Sequence, residues 1–92
     1  MEIFYTSKIF KIGNSKFRIV GRDINSQWHK SKAYYVQGKF GNDWCDMYLD
    51  DDKKHLCYGH DYGGAYFLLG KLLKHLGHGD ITKAELCEPE PI

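Results

Sequence analysis

The sequence predicts an α+β fold: an antiparallel β-sheet of about five strands with one main helix, about residues 62–76, packed on it. Three observations carry that expectation. Residues 2–58 run in short aromatic and β-branched stretches separated by turn residues. Residues 62–76 then change to a helical period, with Tyr62, Ala65, Tyr66, Leu69, Leu72, Leu73 and Leu76 forming one apolar stripe. No repeat, linker or shift in composition divides the 92 residues, so they are expected to form a single domain, 1–92, with a loose acidic tail at about 88–92.

Residues 2–12 read as the first strand, 13–16 as a turn and 17–22 as the second strand. If Asn14 and Ser15 form a two-residue hairpin loop, Ile12 opposes Phe17 and Phe10 opposes Ile19. Those four side chains make a core face. The opposite face then carries Lys11, Lys16, Arg18 and Arg22 with Ile9 and Val20, because side chains alternate along a strand. Residues 23–31 read as a polar loop around Trp28. Further strands are expected at 32–40, 44–49 and 54–58, with turns at 41–43 and at the acidic tip 50–53.

Asp61 is placed to cap the helix and to favour the positive end of its dipole. Lys71, Lys74 and His75 suit the other end, and Gly77 suits the residue beyond the C-cap. Residues 80–87 admit two readings: a short helix capped by Asp80, or a last strand over 81–87, which is favoured.

Composition is that of an ordered soluble domain, 42% hydrophobic and 27% charged. A chain of this size buries roughly 60–65% of its unfolded surface, so its high aromatic content is first explained by a small core. Cys45, Cys57 and Cys87 are odd in number and widely spaced. No secretory leader is recognisable in the opening residues and no run is long enough for a membrane helix. Free thiols and a cytoplasmic location are expected.

Catalytic patterns are weak. His55, Cys57 and His60, with Cys45 across a hairpin, could approach a zinc geometry, but no paired CxxC or HxxxH supports them. A nucleophilic Cys57 would need a base and a third orienting group, and neither is evident. The Asp50, Asp51 and Asp52 run lacks the spaced ligands of a calcium loop. Gly59, Gly63 and Gly64 precede the helix, but Asp61 at its mouth disfavours phosphate. The expectation is therefore no enzyme, no cofactor and no bound metal.

Charge is the strongest signal. Residues 1–42 carry eight Lys/Arg against Glu2 and Asp23, whereas residues 43–92 carry ten acids against five Lys. Eight of the fourteen aromatics lie in the basic half, a combination that suits phosphates and stacked bases. The candidate binding residues are Lys11, Lys16, Arg18, Arg22, Gln27, Trp28, His29, Lys30, Lys32 and Lys39. Asp50–Asp52, Asp61, Glu88 and Glu90 have local explanations as turn, cap and tail. Strand cations also solvate the open face of a half-buried sheet and guard its edges. The functional expectation is a small non-enzymatic protein that docks on a larger protein or ribonucleoprotein complex, with RNA or DNA backbone contacts and no membrane partner. The alternative is a small nucleic-acid-binding regulator using the basic sheet face, though no RNP, KH or zinc-finger motif is present.

A chain of under 100 residues that is aromatic-rich, α+β, locally charged and without catalytic motifs resembles the phage anti-CRISPR proteins, inhibitors of the type I-F surveillance complex among them. The resemblance is one of overall character and carries over no individual residue. It implies binding to Cas subunits and guide RNA, and a block of target DNA hybridisation.

Overall fold

The computed structural model describes residues 3–25 and 30–90. Its centre is a long hairpin of β3 (Ser15–Asn25) and β4 (Lys30–Phe40), paired antiparallel from Phe17↔Gly38 to Asn25↔Lys30. Strand therefore extends to Asn25 and resumes at Lys30, inside the segment expected to be loop. Around this pair the sheet runs β5-β4-β3-β2-β7, with β2 at Ile9–Ile12, β5 at Asp43–Asp46 and β7 at Glu85–Cys87. β1 (Ile3–Thr6) continues the β2 side of β3, and β6 (Tyr58–Gly59) continues the β5 side of β4. The architecture is α+β, with seven strands among the described residues where the sequence suggested about five.

One additional strand arises from an interruption, the other is β7, and the expected 44–49/54–58 hairpin is reduced to β5 and β6. The expected strand at 2–12 is broken at Ser7 and Lys8. The Ser7 N–H donates to Ile19 O, and Ser7 Oγ accepts from Ile19 N–H, so one serine satisfies both backbone groups of Ile19 where the ladder is disrupted. The expected hairpin of 44–49 and 54–58 pairs only through a Tyr48↔Leu56 bridge beyond β5. Its tip is organised by Asp50, which accepts from the N–H groups of Lys54 and His55 and contacts the His55 ring. That arrangement agrees with the reading of the acidic run as a turn.

The first hairpin turns one residue earlier than expected. Its loop is Gly13 and Asn14, so Ile12 pairs with Ser15 and Phe10 with Phe17, not with Phe17 and Ile19. Gly13 has φ +58, a conformation that favours glycine at the first loop position. The shift is two residues, so every side chain keeps its expected face.

Helix α1 (Tyr62–His75) crosses one face. Asp61 caps it by accepting from Gly64 N–H at 2.7 Å. The other end closes as a Schellman turn: His78 N–H donates to Leu73 O and Gly77 N–H to Lys74 O, with Gly77 at φ +84. Ala65, Leu69, Leu72 and Leu73 pack on Phe10, Phe17, Ile19, Val36 and Cys57 to form the main core. Each fully buried Leu contributes about 1.5–3 kcal/mol. A Cβ on Gly59 would lie 2.7 Å from the Ala65 nitrogen, so the absence of a side chain there lets β6 meet the helix backbone. Residues 80–87 combine both expectations, a 3-10 turn at Ile81–Lys83 capped by Asp80, then β7.

Candidate binding surface

The face of the sheet away from the helix carries the charge. Alternation in β3 places Lys16, Arg18, Val20 and Arg22 there, and the β3–β4 register sets Gln37 beside Arg18 and Tyr35 beside Val20. Lys11 joins them opposite Lys16, and Glu85 pairs with Lys11 from the other side. β5 contributes Trp44, opposite Lys39, and Asp46, opposite Gln37. A small apolar cluster of Val20, Ala33 and Tyr35 fills the Arg22 end.

These side chains form one network. Arg22 makes a two-pronged pair with Asp46, with both N–O distances at 2.8 Å. Arg18 Nε donates to Gln37 Oε1, and Gln37 Nε2 donates to Asp46 Oδ1, linking the two arginines through neutral and charged acceptors. The Arg18 guanidinium stacks 4.4 Å from the Trp44 ring centre, and that of Arg22 lies 4.8 Å from the Tyr35 ring. Beyond Trp44, Glu90 accepts from Lys39 Nζ and from Trp44 Nε1. Glu90 thus ties down a segment expected to be loose.

The electrostatics follow from this packing. Burial opposes the charge on Arg18, which Glu90 favours and Arg22 opposes. Burial also works to raise the Asp46 carboxyl, but the hydrogen bonds from Arg22 and Gln37 and the charge of Arg22 outweigh it and hold it below its ordinary range. The Glu90 carboxyl is lowered, first by its bond from Lys39 and then by that from Trp44, with Lys16 adding to the field.

Lys11, Lys16, Arg18, Arg22 and Lys39 are therefore brought together. Lys32 is not: it projects to the helix side, with Nζ 4.9 Å from the Phe4 ring. Lys30 opens β4 opposite Asn25. Gln27, Trp28 and His29 lie outside the described residues. Arg18 is only 6% exposed, so its guanidinium is a fixed part of the face and not a mobile surface cation. Sequence reasoning missed Gln37, Trp44, Asp46 and Glu90. A signal for Trp44 existed, since a hairpin turn at 41 and 42 places it opposite Lys39. Nothing local identified Asp46 or Glu90 as partners of cations 24 and 51 residues away in sequence.

The other candidate chemistry is dispersed. Cys57 sits in the main core, where burial pushes its thiol up to about 12. His55 contacts Asp50, and His60 packs edge-on to Tyr58. Among the described residues no group of three or more His, Cys, Asp or Glu is arranged to hold a metal, and no helix is long and apolar enough to cross a membrane.

The fold defines the chain as an α+β protein with one helix-covered and one polar-aromatic sheet face. No protein-family model, curated protein or solved structure matches it.

Proposed function

We propose that this chain is a non-enzymatic binding protein that docks on an anionic surface of a larger nucleoprotein assembly through the face built on β2, β3, β4 and β5. One observation carries the reading: five cations from three strands share one sheet face, with two of them held rigid by Gln37, Asp46, Trp44 and Tyr35. A preorganised face loses little side-chain entropy on docking. Lys11 and Lys16, side by side across β2 and β3, make no ion pair with another described residue and add the outermost positive charge. The resemblance to anti-CRISPR proteins makes a type I-F surveillance complex the first assembly to try.

The experiment is capture of that complex by immobilised protein, with and without Lys11→Glu and Lys16→Glu together. Loss of capture supports the reading; undiminished capture removes this face from it. Bare DNA or RNA is the second arm. A nucleic-acid regulator would bind it directly, with an affinity that falls steeply with salt and a log–log slope that drops by about 0.7–0.9 for each phosphate no longer neutralised. A docking protein would bind it weakly at all salt concentrations.

A further inference from the structure

The place that Glu90 occupies is fitted to a carboxylate. Each of its oxygens takes one donor: Oε1 from Lys39 Nζ, Oε2 from Trp44 Nε1 at 3.1 Å. The donors belong to directly paired residues of β4 and β5, so their spacing is set by the sheet and not by Glu90. Arg18 behind the indole and Lys16 beside the carboxylate deepen the positive field. The acid, by contrast, comes from a segment without regular structure after β7. Pro89 precedes it and has no N–H to contribute to a ladder. A site fixed by paired strands and an occupant from a segment outside the ladder are the elements of an exchangeable contact.

The chemistry of the donors favours a carboxylate over a phosphate. Two-pronged phosphate recognition draws on the forked donors of arginine, whereas lysine acts as a point charge. Here Arg22 commits its fork to Asp46, and Arg18 commits Nε to Gln37 and its flat face to Trp44. The donors that meet Glu90 are one ammonium and one neutral indole N–H, a match to two coplanar oxygens.

We propose that Lys39 and Trp44 form a carboxylate-binding site for an acidic peptide segment of a partner protein, and that Glu90 fills it in the free chain as an internal competitor. The inference rests on the reading of this face as the docking surface and assigns its contact to a protein subunit of the target. A tethered competitor lowers the apparent affinity for an external ligand by the fraction of sites it holds. Removing it exposes the site without altering the strands that carry the donors.

The test is a titration of the full-length ¹⁵N-labelled protein with hexaglutamate, read at the Trp44 indole N–H resonance, which Trp44→Phe identifies. Glu90→Ala is expected to displace that resonance, and hexaglutamate to return it, with an affinity at least about tenfold above that for the wild-type chain. Lys39→Gln in the Glu90→Ala background is expected to abolish the return. Equal hexaglutamate affinity with and without Glu90 would overturn the internal competitor. Equal affinity with and without Lys39, or tighter binding of a single-stranded oligothymidylate than of hexaglutamate, would overturn the peptide site. Glu90→Gln provides a second, near-isosteric variant held to the same outcomes. Complex capture that depends on Lys11 and Lys16 while hexaglutamate leaves the indole unmoved in every variant would leave the docking reading standing and remove this inference alone.

Discussion

The two faces of the sheet are closed by opposite means. On one, α1 lays Ala65, Leu69, Leu72 and Leu73 onto Phe10, Phe17, Ile19 and Val36, and the contact is almost entirely apolar. On the other, the sheet covers itself: arginines lie over Trp44 and Tyr35, and Asp46, Gln37 and Glu90 answer their charge. Apolar closure is non-directional and gains free energy with every area removed from water. Polar closure depends on each donor meeting its acceptor, and its net gain per bond is small. The first face is therefore suited to holding the fold, and the second can exchange a partner at small cost because water and ions compete for the same groups.

Weakening the apolar face is the most severe challenge to this division of roles. Leu69 is fully buried, and Leu69→Ala should cost about 2–5 kcal/mol, measured as a lower urea midpoint. Cys57 reports the same core chemically. Its thiol, pushed up to about 12, should resist iodoacetamide at about pH 8 in the native chain while the exposed Cys45 reacts. Leu69→Ala should speed Cys57 modification, read by mass spectrometry. A Cys57 as reactive as Cys45 in the wild-type chain would contradict the packing of α1 on the sheet.

The corresponding change on the polar face is Asp46→Ala, which strands Arg22 and one amide proton of Gln37. Both charged side chains are partly exposed, so the expected loss is smaller, about 1–3 kcal/mol in the same urea assay. The pH dependence has a definite sign. Because the folded carboxyl lies below its unfolded value of about 3.9, its stabilisation is present above that pH and is lost as pH falls through the folded value. Asp46→Asn should therefore flatten the acid limb of the stability curve. An acid limb identical to wild type would show that the Arg22 pair contributes nothing.

The apolar face was largely legible in the sequence and the polar face only in half. The stripe from Tyr62 to Leu76, the Asp61 cap and the Gly77 stop are local patterns, and local patterns dictate a helix whatever lies far along the chain. Phe10, Ile12, Phe17 and Ile19 were placed together because alternation survives a two-residue error in register. The same alternation gathered Lys11, Lys16, Arg18 and Arg22. What alternation cannot supply is the acid from another strand. Asp46 is set beside Arg22 by strand order and register, and Glu90 reaches Lys39 from a segment beyond β7. Part of the acidic half thus folds onto the basic half, and the uneven charge along the chain becomes a partly compensated face. Lys32 illustrates the converse, since a cation one position out of phase goes to the helix side despite belonging to the same basic stretch.

The smallest effect should come from Trp44, and its smallness is informative. Its ring receives Arg18 at 4.4 Å and Lys39 at 5.6 Å, and its N–H reaches Glu90. Trp44→Leu keeps an apolar side chain over the arginine but removes the ring's negative face and the indole donor. Cation–π contacts contribute about 0.5–1 kcal/mol when exposed and about 2 kcal/mol when desolvated, and with Arg18 buried but Trp44 half-exposed a loss of about 1 kcal/mol is expected in the urea assay. Arg18 keeps Gln37 as a partner, which limits the damage. A loss as large as that of Leu69→Ala would mean that the polar face holds the fold as firmly as the helix does, and the separation of roles between the faces would fail. A loss within the expected range, accompanied by weaker capture of the partner assembly, would place Trp44 on the side of binding and leave stability to α1.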